Sequence, residues 1–156
     1  MKGSIKKIVS LVSYLAFALF ILALDFFTKQ WALKTAVKPL IFNKYLSLDL
    51  TINRGISWGI FHHADQPFFI ALSIGISLLI VLLIAYTLFR WMKDKSIYPE
   101  LLIIAGAGGN LIDRLMYNGV VDFIALHWGV LAFPIFNVAD MAITIGVIGM
   151  LVVLPE

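Results

Sequence analysis

The chain contains no cysteine, few charges and only three histidines among its 156 residues. The missing cysteine excludes disulfides, thiolate zinc sites and a cysteine nucleophile. Charged residues make up 13% of the sequence, and the formal net charge of +3 is small and scattered. That charge gives no basic face for a nucleic-acid partner. The histidines, at 62, 63 and 127, supply neither an HExxH nor an HxH pattern, so no metal and no other cofactor is expected. What is abundant is apolar surface: 62% of residues are hydrophobic, and the mean hydropathy is +0.98. Soluble domains are about half apolar. The composition is that of an integral membrane protein with room for a single domain, 1–156.

Four apolar segments stand out: 8–24, 68–89, 101–117 and 138–154. A bilayer is crossed by about 20 helical residues, with a range of about 17–25. The second segment meets that length comfortably, and the others are near its lower limit. Asn110, Asp113 and Arg114 interrupt the third, but its "GAGGN" run at 106–110 allows close helix packing. The first follows Lys2, Lys6 and Lys7 as a signal peptide would. It is long for that role, and "DFFTKQW" follows it in place of a small-residue cleavage site, so it reads as an uncleaved span. The expected fold is mainly α, with four transmembrane helices.

Orientation follows the density of Lys and Arg. Lys2, Lys6 and Lys7 crowd the N-terminus, and Arg90, Lys93 and Lys95 crowd the link between the second and third spans. The 25–67 loop spreads Lys29, Lys34, Lys38, Lys44 and Arg54 over a longer stretch, and the 118–137 loop carries no Lys or Arg. Both termini are therefore expected in the cytoplasm, with loops 25–67 and 118–137 outside. Those loops have strand character. Leu46, Leu48, Leu50 and Ile52 alternate with polar residues in "YLSLDLTIN" (45–53), the period of a half-buried strand. "VVDFIAL" and "VLAFPIF" flank "HWG" and suggest a hairpin, with Pro134 keeping its second arm short. A small β platform on the outer face is the expectation.

With that topology the polar residues of three spans converge at one depth. Asp25 and Lys29 close the first span as a local ion pair or cap; Asn110, Asp113 and Arg114 lie in the outer half of the third. Asp122 follows that span, and Asn137 and Asp140 head the fourth. Asn110 and Arg114 share a helix face at i, i+4, as Asn137 and Asp140 do at i, i+3. An ionised carboxylate in hydrocarbon costs on the order of 2.5–3.5 kcal/mol, so Asp140 needs partners. Two facing carboxyls that share one proton are the requirement of aspartyl hydrolysis, and Asp122 with Asp140 is the pair placed to meet. A structural ion pair is the competing reading for any single aspartate, and it fits Asp113 beside Arg114 and Asp25 beside Lys29.

Other readings are open at this point. Ser57 with His62 and His63 lacks a nucleophile elbow and reads as a loop feature. Trp31, Trp58, Trp91 and Trp128 stand near span ends, as interfacial anchors do. The same acidic cluster would serve a small proton- or cation-coupled transporter, but that function needs polar groups through the full depth. The second and fourth spans offer only Ser73, Ser77, Thr87 and Thr144. A purely structural subunit gives no reason to gather the cluster.

Five motifs, "DFFTKQW" (25–31), "NRGISWG" (53–59), "GAGGNLIDRL" (106–115), "VVDFI" (120–124) and "FNVAD" (136–140), run in an order and spacing that resemble the bacterial lipoprotein signal peptidases (signal peptidase II). The resemblance covers nearly the whole chain. It implies an aspartyl endopeptidase of the bacterial cytoplasmic (inner) membrane. Such an enzyme cuts the signal peptide from prolipoproteins just before a diacylglyceryl-modified cysteine, with its active site at the outer face. By resemblance Asp122 and Asp140 are the catalytic pair. Asp25, Lys29, Asn53, Gly55, Asn110, Arg114 and Asn137 are the supporting or substrate-binding residues, with no metal. The implied partners are lipidated prolipoproteins, membrane lipids and cyclic peptide inhibitors of the globomycin type. Ile56 and Ser57 depart from the small residues the family usually has there.

Overall fold

A computed structural model describes residues 2–36, 38–55, 66–129 and 131–153. Ser57, Trp58, His62 and His63 lie outside them. In chain order the elements are α1 (Lys2–Thr35), β1 (Leu40–Ile41), β2 (Leu46–Asn53), α2 (Gln66–Met92), α3 (Tyr98–Tyr117), β3 (Val120–Trp128), β4 (Leu131–Ala132) and α4 (Val138–Val153).

The first helix corrects the expected boundary. Residues 25–35, assigned from sequence to an outer loop, continue α1 without a break. Hydropathy falls at Asp25 and Lys29, but helix propagation depends on backbone bonds and needs no apolar side chain. The two charges answer each other one turn apart, with Lys29 Nζ 2.7 Å from Asp25 Oδ2. The added turns carry Ala32 and Ala36 into a buried cluster with Leu48 and Phe123, against which Leu50, Ile124 and Val138 pack. That cluster joins the end of α1 to the sheet and to the head of α4.

Ile5–Thr35 and Gln66–Met92 are each long and apolar enough to cross a membrane, and Val138–Val152 is a shorter apolar stretch. Their outward faces are apolar and exposed, as at Leu19, Leu79, Leu82 and Leu151, a surface that water does not favour. Helix α3 is central and packs on all three others. Gly106 makes its approach to α4 possible, since a Cβ there would stand 2.5 Å from the Ala139 carbonyl oxygen. At the opposite end of α3, Glu100 is fully buried; its Oε1 lies 3.1 Å from Arg90 Nη1 and so ties α2 to α3.

The strands form one antiparallel sheet in the order β1-β2-β3-β4. The alternation in 45–53 becomes β2, paired from Leu46↔Leu126 to Asn53↔Val120. An irregularity between Leu48 and Thr51 shifts the register just where Thr51 meets Asp122, the kind of bulge that re-aims a side chain. The expected hairpin forms with a tighter turn: His127 and Trp128 belong to β3 and pair with Ala132 and Leu131. Gly129 provides the left-handed residue of that turn at φ 61°. The Phe133 N–H still donates to the Leu126 carbonyl at 2.9 Å; Pro134 then has no amide hydrogen to donate, and an isolated bridge joins Phe136 to Ile124. This return delivers the chain to Asn137 and α4.

Candidate active site

Helix α4 opens with Asn137 and Asp140 in a reciprocal cap. The Asp140 N–H donates to Asn137 Oδ1 at 2.8 Å, and the Asn137 N–H donates to Asp140 Oδ2 at 3.3 Å. The pattern satisfies amides that a helix start leaves unpaired. A third amide, that of Ala139, donates to Asp25 Oδ1 at 2.9 Å. A carboxylate in the first turn is further favoured by the helix dipole. Asp140 thus stands at the head of an apolar helix because the local backbone stabilises it there.

Asp122 reaches the same place from β3. Its Oδ1 accepts from Asn137 Nδ2 at 2.7 Å and its Oδ2 from Asn53 Nδ2 at 3.0 Å. Asn137 therefore touches both aspartates, one through its side chain and one through its backbone. Asn110 mirrors it from α3. Its Nδ2 donates to Asp140 Oδ1 at 2.9 Å, and its Oδ1 accepts from Asn137 Nδ2 at 3.1 Å and from Lys29 Nζ at 2.9 Å. Every named partner of the Asp122 and Asp140 oxygens is a neutral amide. Asp122, 2% exposed, has its pKa pushed up to about 7 by burial and then by the neighbouring Asp140 charge. The bonds from Asn53 and Asn137 oppose this and are outweighed. At neutral pH this carboxyl is poised between its two forms.

The remaining residues form a frame. Lys29, 1% exposed, bonds Asp25 at 2.7 Å and Asp113 at 2.8 Å. Asp113, expected beside Arg114, turns to Lys29 and also accepts the Val121 N–H at 3.0 Å. Adjacent helical residues point in different directions, so Arg114 is free to face elsewhere. Its guanidinium donates to the Asn110 carbonyl at 3.2 Å and the Gly55 carbonyl at 3.4 Å. Gly55 N–H closes a turn onto Asn53 Oδ1 at 2.9 Å. Arg114 Nε is buried with no hydrogen-bond partner among the described residues. His127 lies apart from the pair, with its Nε2 3.0 Å from Ser47 Oγ. Among the described residues no cluster of His, Asp and Glu is arranged to hold a metal ion.

One feature has no single-residue signature in the sequence. A cavity of about 400 Å³ lies between α4 and the 133–136 segment, lined by Leu126, Phe133, Phe136, Met141 and Ile145 together with Asp140. It needs the return from β4, a tertiary contact that periodicity does not reveal.

Two solved structures, each described as a bacterial membrane enzyme, match this fold with TM-scores of 0.71 and 0.70, at 28% and 27% identity. Each alignment covers 91% of this chain, with 87% and 92% of the solved chains. The sequence model of signal peptidase (SPase) II matches residues 17–154. A lipoprotein signal peptidase of Thermodesulfovibrio yellowstonii is 41% identical over 130 residues, covering 82% of this chain and 84% of the relative. One from Polynucleobacter necessarius is 34% identical over 148 residues, covering 90% and 87%. The chain belongs to the signal peptidase II family, the lipoprotein signal peptidases.

Proposed function

We propose that this peptidase is an aspartyl endopeptidase of the bacterial cytoplasmic membrane. It removes the signal peptide from prolipoproteins by cutting before a diacylglyceryl-modified cysteine, and Asp122 and Asp140 are its catalytic pair. The observation that carries this reading is Asn137, whose side chain and backbone bind both carboxyls, so that β3 and α4 present them to one point. One carboxylate takes a proton from water, and the water oxygen adds to the scissile carbonyl carbon. The protonated partner polarises the carbonyl oxygen. A proton then passes to the leaving nitrogen as the C–N bond breaks. The pKa of about 7 at Asp122 suits it to hold the proton in the resting enzyme.

The four helices are spans in this reading, with both termini cytoplasmic, and the pair lies at the outer face where acyl chains, peptide and water meet. Asn53, Gly55, Asn110 and Arg114 order the site around the pair, and the Nε of Arg114, without a partner among the described residues, is a donor for a substrate carbonyl. The apolar cavity beside Asp140 receives the apolar part of the substrate, and membrane lipids and globomycin-type cyclic peptides are further occupants of the same cleft. Asp122→Asn and Asp140→Asn should each abolish cleavage of a lipidated prolipoprotein while the protein still inserts. Substantial turnover by either variant sinks the assignment. A chelator should leave activity unchanged, and loss restored by zinc would count against this chemistry.

A further inference from the structure

Lys29 belongs to neither catalytic arm, yet it touches a route to both. An ammonium has three hydrogens and no acceptor, and all three find oxygens: Asp25 Oδ2 at 2.7 Å, Asp113 Oδ2 at 2.8 Å and Asn110 Oδ1 at 2.9 Å. Each of those acceptors continues toward a candidate catalytic aspartate. Asp25 holds the N–H of Ala139, the residue before Asp140, at 2.9 Å. Asp113 holds the N–H of Val121, the residue before Asp122, at 3.0 Å. Asn110, its oxygen drawn to the ammonium and to Asn137, is left with its Nδ2 toward Asp140 Oδ1 at 2.9 Å.

We infer that Lys29 is a positioning residue, one that holds the strand bearing Asp122 and the helix bearing Asp140 at the separation the reaction needs. This inference rests on the aspartyl reading above. In this buried site the third hydrogen needs an acceptor too, and the one it finds is Asn110 Oδ1, the far end of the amide that meets Asp140. That third bond fixes which end of the amide faces Asp140. An amide with its ends exchanged would set an oxygen against that carboxylate, and the Lys29 ammonium, with the Asn137 amide beside it, holds the observed orientation from the other end. The group is also rigid, because every hydrogen of the ammonium is committed. Removing a partner from a buried ion pair strands the other charge, so a single substitution confuses position with folding, and a compensated variant is required.

The test compares Lys29→Met with the triple variant Asp25→Asn/Lys29→Met/Asp113→Asn, which leaves no unpaired charge at the hub. Both are assayed for thermal midpoint in one detergent and for kcat and KM on a lipidated prolipoprotein. The triple variant should recover a midpoint near wild type, with KM within a few fold. Its kcat should remain down on the order of 100-fold, the cost of misplacing reacting groups by about 1 Å. Recovery of kcat together with the midpoint would mean that Lys29 only balances charge, and would overturn the inference. If the triple variant also fails to fold, Lys29→Arg gives the second measurement: it keeps the charge between Asp25 and Asp113, but a planar fork does not set three hydrogens on three separate oxygens as the ammonium does. At equal folded fraction its kcat should fall with KM within a few fold, and an unchanged kcat overturns the inference. Active Asp122→Asn or Asp140→Asn would instead remove the underlying aspartyl reading, so the two failures are told apart.

Discussion

Asn137 and Asp140 cap each other at the head of α4, with the Asp140 N–H 2.8 Å from Asn137 Oδ1 and the Asn137 N–H 3.3 Å from Asp140 Oδ2. The same asparagine donates its Nδ2 to Asp122 at 2.7 Å, so one residue carries a stabilising and an organising role that substitution can separate. Asp is as good an N-cap as Asn, but its side chain has no amide donor when ionised. Asn137→Asp keeps the cap but sets a third carboxyl against the Asp122 oxygen, so cleavage should be lost and the thermal midpoint should fall more at pH 8 than at pH 5, where that carboxyl can take up a proton. Asn137→Ala should lose both stability and cleavage, with roughly 1 kcal/mol of the instability from the cap alone. Equal activity of Asn137→Asp and wild type would show that the bond to Asp122 is dispensable.

Gly109 lies on the face of α3 that meets α1, where a Cβ would stand 2.5 Å from Asp25 Oδ2. That oxygen cannot swing away cheaply, since Lys29 and the Ala139 N–H hold the carboxylate. Gly109→Ala should therefore cost about 1–3 kcal/mol, as overpacking does, and lower activity with it. Gly75 in α2 has nothing among the described residues within 4 Å of its Cβ position, and Gly75→Ala is the control, neutral or slightly stabilising. Matching thermal midpoints for the two variants would refute the packing assignment.

How much of this was legible in the sequence depends on the range of the interactions involved. The β2 strand is visible in the alternation of Leu46, Leu48, Leu50 and Ile52, because period-two burial is a local property. The convergence of Asp25, Asn110, Asp122 and Asp140 follows from where apolar segments begin and end. The continuation of α1 through residue 35 does not, since Asp25 and Lys29 look like a boundary until their partners are known. The partner of Asp113 is likewise hidden: Arg114 is adjacent in sequence, but Lys29 and the Val121 N–H lie on other elements. The apolar cavity beside Asp140 depends on the path of residues 133–136, which no period encodes.

A chain without cysteine allows a direct test of topology. Asp94 stands in the α2–α3 turn with its side chain 74% exposed, 3.4 Å from Lys7 of α1. Lys44 lies in the β1–β2 turn, its Nζ over the Tyr45 ring. Lys and Arg concentrate on the cytoplasmic side of membrane proteins, and Arg90, Lys93 and Lys95 flank Asp94. In intact spheroplasts an impermeant maleimide should label Lys44→Cys and leave Asp94→Cys unmodified until the membrane is opened. The reverse pattern would put the two carboxyls on the cytoplasmic face and overturn the proposed orientation.

Asp122 links pH to stability and to rate through the same proton. Its carboxyl titrates at about 7 in the folded protein and near 3.9 when unfolded. Between those values the native state binds a proton that the unfolded state has released, so stability falls as pH rises through the window. The loss is on the order of 4 kcal/mol at most by pH 8, and it levels off above the folded value. Asp122→Asn abolishes that titration. The variant should match wild type near pH 4, exceed it in thermal midpoint at pH 8, and be inactive throughout. For the wild type, deprotonation of Asp122 removes the acid of the pair, so log kcat/KM should bend near pH 7 and fall by about one per pH unit above it. A rate that keeps rising to pH 9, with the stability slope present, would assign the proton a structural role and move the acid function elsewhere. A stability difference of the same size at pH 4 and pH 8 would mean that burial of Asp122 carries no proton linkage.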